Sequence, residues 1–112
     1  MFGSLVPAFL MAKSDRRRHA RHTTPTLKVR INGKRYRTKD WSLSGFRLDD
    51  FDGICEWGEQ VRGVILFKGR RGEVVAEAVR FGPDRAIGFR VLEISPDLFL
   101  QMSGHSPNLT TR

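Results

Sequence analysis

Two polar clusters in this chain carry the residue types needed to grip a small anionic ligand. The first is Arg17-x-x-x-Arg21; the second is Asp40-x-Ser42-x-x-Gly45. A guanidinium is planar, permanently charged and able to donate two parallel hydrogen bonds to a phosphate, and it also stacks on a purine face. A carboxylate such as Asp40 matches the Watson–Crick edge of guanine, where two N–H donors lie side by side; adenine lacks that pair. Ser42 can donate or accept, and Gly45 supplies either a positive φ or a close backbone approach. The combination describes a site for a compact ligand bearing both phosphate and guanine. Each cluster alone is weak: most arginine runs are solvated loops, and an Asp or Ser in a turn usually bonds local backbone. The two in this order, on either side of a strand, are a much stronger signal.

The elements that must position these groups are short strands. Residues 13–25 are polar and basic and read as an exposed loop ending at Pro25. Leu27, Val29 and Ile31 alternate with Lys28 and Arg30, the period-two mark of a half-buried strand. Asn32-Gly33 is a hairpin signal, so a return strand is expected over 34–41, with Tyr36 inward. Ser42 to Gly45 makes the next turn, and Phe46 and Leu48 begin another strand. Trp41, between two motif residues, belongs on the opposite face from Asp40 and Ser42 and reads as core or partner surface. An acidic and Gly-containing loop follows over 49–58, then strands over 60–67, 73–81 and 86–92, with a turn at Gly69-Arg70-Arg71-Gly72 between the first two. Ser95-Pro96-Asp97 reads as a capped helix start, with Leu98, Phe99 and Met102 on the buried face and Gly104 as the stop. Short strands and one terminal helix predict a small antiparallel barrel, which leaves no strand edge exposed.

With those residues in view, the chain resembles the PilZ family of bacterial cyclic di-GMP receptors, whose signature is an R-x-x-x-R pair followed by [D/N]-x-S-x-x-G. The interval from Arg21 to Asp40 is somewhat shorter than is usual in the family. The likeness continues through Asp15 to Arg21, through Asp40 to Leu48, and in Ala86-Ile87-Gly88-Phe89-Arg90-Val91, and covers roughly residues 15 to 95. The resemblance implies an all-β fold: a six-stranded antiparallel split barrel with a short C-terminal helix. It implies cyclic di-GMP as ligand, held by Arg17, Arg21, Asp40, Ser42 and Gly45, with Arg16 and Arg18 as secondary candidates. It also implies a receptor that orders its arginine loop on binding and signals to an effector protein controlling motility, exopolysaccharide or a similar output.

Composition fits this reading. The chain has 112 residues, enough for one domain, and 39% are hydrophobic. Its 20 Lys and Arg against 12 Asp and Glu give a formal charge of +8, which attracts polyanions or simply aids solubility. A single cysteine, Cys55, cannot form an internal disulfide, and no grouping of nucleophile, base and oxyanion donors argues for an enzyme. His19, His22 and His105 do not approach metal-ligand spacing, and no cofactor is expected. The N-terminal apolar stretch is too short to span a bilayer and lacks a basic leader, so a cytoplasmic protein, monomeric or homodimeric, is expected. The expected organisation is a flexible or partner-docking segment over 1–14, the barrel with its helix over 15–103, and a disordered tail over 104–112. Leu5, Phe9 and Leu10 would share one face of a short docking helix. Two alternatives stand beside the receptor: a nucleic-acid-binding barrel, which the charge favours but the lack of an exposed aromatic row opposes, and a ligand-free PilZ-like interaction module.

Overall fold

The computed structural model describes residues 5–8, 21–53 and 56–104. In chain order the strands are β1 (Val6–Pro7), β2 (Lys28–Ile31), β3 (Lys34–Ser42), β4 (Gly45–Leu48), β5 (Gln60–Phe67), β6 (Arg70–Phe81) and β7 (Ile87–Ile94), followed by helix α1 (Pro96–Ser103). All pairings are antiparallel, in the order β1-β7-β4-β3-β2-β5-β6. A further β6–β7 ladder closes β2 to β7 into a six-stranded barrel. The expected all-β barrel with one C-terminal helix is therefore the fold observed. No helix among the described residues is long and apolar enough to cross a membrane.

Alternation fills the barrel. Val29 and Ile31 are buried while Lys28 and Arg30 are exposed. Trp41, Phe67, Leu48, Ile65 and Ile94 are among the most deeply buried side chains, and the Trp41 and Phe67 rings meet edge to face at 5.5 Å. Two hairpins turn through paired left-handed residues, Asn32 and Gly33 at φ 52° and 81°, and Lys68 and Gly69 at φ 51° and 82°. Such turns need positive φ at both central positions. This corrects the turn expected at 69–72: the chain reverses one step earlier, and Arg70 already faces Phe67 in the β5–β6 ladder.

Bulges explain where simple alternation fails. On β6 the register shifts between Val75 and Ala76, so Val74, Val75 and Ala76 are all buried. On β3 it shifts between Thr38 and Asp40. Thr38 faces Leu48 within the core, and after the bulge the inward position passes to Trp41, opposite Phe46. One extra residue thus moves Asp40 to the outer side of the strand.

Of the segment expected to be flexible or partner-docking, residues 5–8 are described. Val6 and Pro7 form a strand on β7, opposite Ile94 and Glu93, and Ala8 is buried in the core. The reason lies in β7: β4 accompanies it only from Ile87 to Arg90, leaving backbone groups further along for β1 to take. Phe9 and Leu10 lie outside the described residues. Helix α1 buries Leu98, Phe99 and Met102 as expected. Ser95 makes no side-chain cap; its carbonyl accepts the Phe99 N–H at 3.0 Å. Gly104 ends the helix in right-handed geometry, its N–H bonding the Leu100 carbonyl.

Candidate ligand-binding site

The site is assembled by one isolated bridge. The His22 N–H donates to the Trp41 carbonyl at 2.7 Å, and the Trp41 N–H donates to the His22 carbonyl at 2.9 Å. The His22 ring lies 4.7 Å from the Trp41 ring, and Trp41 Nε1–H donates to the Pro25 carbonyl at 2.7 Å. The last part of the expected basic loop is therefore anchored to the end of β3. Trp41 serves as core and anchor, on the opposite side from Asp40. The bridge brings Arg21 alongside Asp40, whose outward placement comes from the β3 bulge.

Arg21 Nε–H donates to Asp40 Oδ1 at 2.8 Å, and Arg21 Nη2 contacts the same oxygen. Arg47 Nη2 donates to Asp40 Oδ2 at 2.8 Å. Both carboxylate oxygens are thus held, and Asp40 is only 8% exposed, whereas Arg21 and Arg47 keep about half of their side chains in solvent. Desolvation pushes the Asp40 carboxyl up, but the hydrogen bonds and charges of Arg21 and Arg47 together outweigh it and hold the group below its ordinary value. The Arg47 Nε atom is buried and has no hydrogen-bond partner.

Arg47 is the residue that motif reading missed. It follows from counting through the turn: Ser42 pairs with Gly45, Trp41 with Phe46, and Asp40 with Arg47. Directly opposite residues on one side of a ladder touch, and here they are an acid and a base.

Ser42 and Gly45 shape the turn beside this cluster. The Ser42 hydroxyl oxygen accepts the Ser44 N–H at 3.2 Å and lies 3.1 Å from the Ser44 hydroxyl, and Ser42 is almost fully buried. Its observed bonds are those of a local turn. Gly45 has no positive φ; of its two expected roles, close approach is the one found. A Cβ there would lie 2.4 Å from the Phe89 carbonyl oxygen, so only glycine lets β4 and β7 meet at this point.

A groove of about 320 Å³ opens at the turn, lined by Ser44, Gly45, Phe46 and Phe89 and by four arginines, Arg21, Arg47, Arg80 and Arg90. Arg90 is engaged by Glu77 at 2.6 Å. A second groove of about 530 Å³, lined by Lys39, Asp49 and Asp84 among others, shares Arg47 and Arg80 with the first. Four guanidiniums around a concave surface suit an anionic ligand. Of the expected site residues, Arg21, Asp40, Ser42 and Gly45 are brought together; Arg16, Arg17 and Arg18 lie outside the described residues.

No protein-family model matches the sequence, and no curated protein matches it. Among solved structures the chain is similar to the Bacillus subtilis inhibitor of motility (MotI/DgrA), with a TM-score of 0.67 and 22% sequence identity. The match covers 88% of this chain and 53% of that one, so the chain spans about half the length of the structure it resembles. At that identity the likeness is one of fold.

Proposed function

We propose that this domain is a PilZ-like receptor for cyclic di-GMP that signals to a partner protein rather than catalysing a reaction. The observation that carries the reading is the meeting of Arg21 and Asp40 at the lip of an arginine-lined groove beside Gly45. Arg21 and Asp40 are 19 residues apart in sequence and meet in a hydrogen-bonded ion pair. The fold's likeness to an inhibitor of motility adds support for a regulatory role.

The chemistry is an exchange of partners. The Asp40 carboxylate is shared between Arg21 and Arg47, which leaves the cluster one positive charge in excess. A guanine base offers its N1–H and N2–H donors to the carboxylate, and a phosphodiester offers its anionic oxygens to Arg21 and to Arg17. Asp40 suits this task because its carboxylate, ionised at neutral pH, offers only acceptors. Arg47 stays on the second carboxylate oxygen and sets the orientation of the first. Phosphate bonds to a guanidinium are charge-assisted, which offsets the entropy lost when the arginine segment is fixed against the ligand.

Calorimetric titration with cyclic di-GMP tests the proposal. Binding is expected, with no competition from cyclic di-AMP. Arg21→Ala and Asp40→Ala each weaken it by more than about tenfold, the loss of one charged hydrogen-bonding partner. Absence of heat with the wild-type protein overturns the reading.

A further inference from the structure

A second charged surface lies on the outside of β2 and β3, away from the ligand groove. Cross-strand register lines up two rows over four strands. One row is Arg37, Lys28, Leu66 and Arg71; the other is Arg35, Arg30, Val64 and Glu73. Neighbouring members of a row lie on strands about 4.8 Å apart. Lys28 sits directly opposite Arg37, and Arg30 directly opposite Arg35. Like charges in that relation destabilise a sheet. Among the described residues none of the five cations forms an ion pair that would relieve the repulsion. The fold thus carries a cost on this face with no internal return.

The same rows contain an apolar strip. Leu66 is 37% exposed, and it lines a groove of about 430 Å³ with Leu5, Val64, Arg30, Arg71 and Glu73. β2 is paired on both sides, by β3 and β5, and β5 by β2 and β6, so neither strand offers a free edge for strand addition. A partner must therefore engage side chains. The two rows hold no aromatic residue on which a base could stack. Aliphatic side chains in the strip and carboxylates over the flanking cations satisfy the surface instead.

We propose that this face docks an acidic protein segment that alternates carboxylates with aliphatic side chains. Acidic groups meet the Lys28–Arg37 and Arg30–Arg35 pairs, and a leucine-sized side chain enters the groove at Leu66. The proposal does not depend on the nucleotide reading, because Arg35 and Arg37 take no part in the Asp40 cluster.

The test uses the whole chain and a fluorescein-labelled peptide of Asp, Glu and Leu residues, followed by anisotropy at physiological salt. The peptide is expected to bind, and Arg35→Glu/Arg37→Glu to weaken it about tenfold or more. A peptide with Ser in place of Leu binds more weakly. The same double variant, which turns two repulsive pairs into attractive ones, melts about 2 to 5 °C higher, showing that lost binding is not lost folding. Its heat with cyclic di-GMP equals that of the wild type, so failure of this proposal is separable from failure of the other. No binding of the acidic peptide overturns the inference. So does equal binding by the double variant and the wild type, or tighter binding of oligo-dT or phosphatidylglycerol vesicles than of the peptide.

Discussion

The two halves of β3 handle charge in opposite ways. At its start, Arg35 and Arg37 stand exposed opposite Arg30 and Lys28. Past the bulge, Asp40 sits opposite Arg47 and beneath Arg21, with both oxygens taken. The first half keeps regular pairing and leaves Arg35 and Arg37 facing like charges, while Lys34 turns to Asp52; the second breaks the pairing and sets a carboxylate between two arginines. In the proposed receptor, the paired charges of the second half are the ones exchanged for a ligand's charges. The bulge at Thr38–Asp40 divides the two regimes along a single strand.

The sharpest way to break this contrast is Gly45→Ala. Its Cβ meets a backbone oxygen that cannot step aside, so β4 and β7 must part under the Asp40 cluster. A loss of about 2–3 kcal/mol in urea unfolding is expected. Asp40→Asn comes next, at about 1–2 kcal/mol at neutral pH, because it removes the charge that two arginines share. The pH dependence follows from the depressed carboxyl. Its contribution is complete above the ordinary value of 3.8 and is lost as pH falls through the lower folded value, so wild type and Asp40→Asn converge only in strong acid. Equal urea midpoints for the two proteins at pH 7 would remove the idea of a stabilising ion-paired cluster. At the other end of the strand the sign reverses: Arg35→Gln should stabilise by up to about 0.5 kcal/mol, an effect that fades with added salt.

The smallest effect concerns Tyr36, on the inward side of the cationic half. Burial first, and then its 2.5 Å hydrogen bond to Asp52, push its hydroxyl up to about 12. The folded state therefore favours the protonated form. That stability is present below pH 10 and is lost as pH rises toward 12, and Tyr36→Phe should flatten the alkaline limb of the melting curve.

Much of this organisation is legible from the chain alone. The Leu27-Val29-Ile31 alternation, the Asn32-Gly33 turn and the buried face of α1 carry their own patterns, because local sterics and one-sided burial decide them. The motif residues Arg21, Asp40 and Gly45 were identifiable by type and order. Their contact was not, because it depends on the His22–Trp41 bridge and on a bulge that reverses alternation at Lys39, and neither has a local signature. Arg47 could have been found by counting back from the Ser42–Gly45 turn. The docking of Val6 and Pro7 depended on how far β4 runs along β7, a matter of tertiary register. Ser42 had two readings, and its bonds in the turn are the local ones.

The His22–Trp41 bridge also works as a ruler. It pins the chain one residue after Arg21, and Arg17 is joined to Arg21 by four peptide links. A fully extended chain covers about 3.3–3.6 Å per residue, so the two α-carbons can stand no more than about 14 Å apart. Any molecule clasped by both arginines must fit inside that leash plus the reach of two side chains. A compact cyclic dinucleotide meets the limit; a long polymer could be touched by both only over one short stretch of its length.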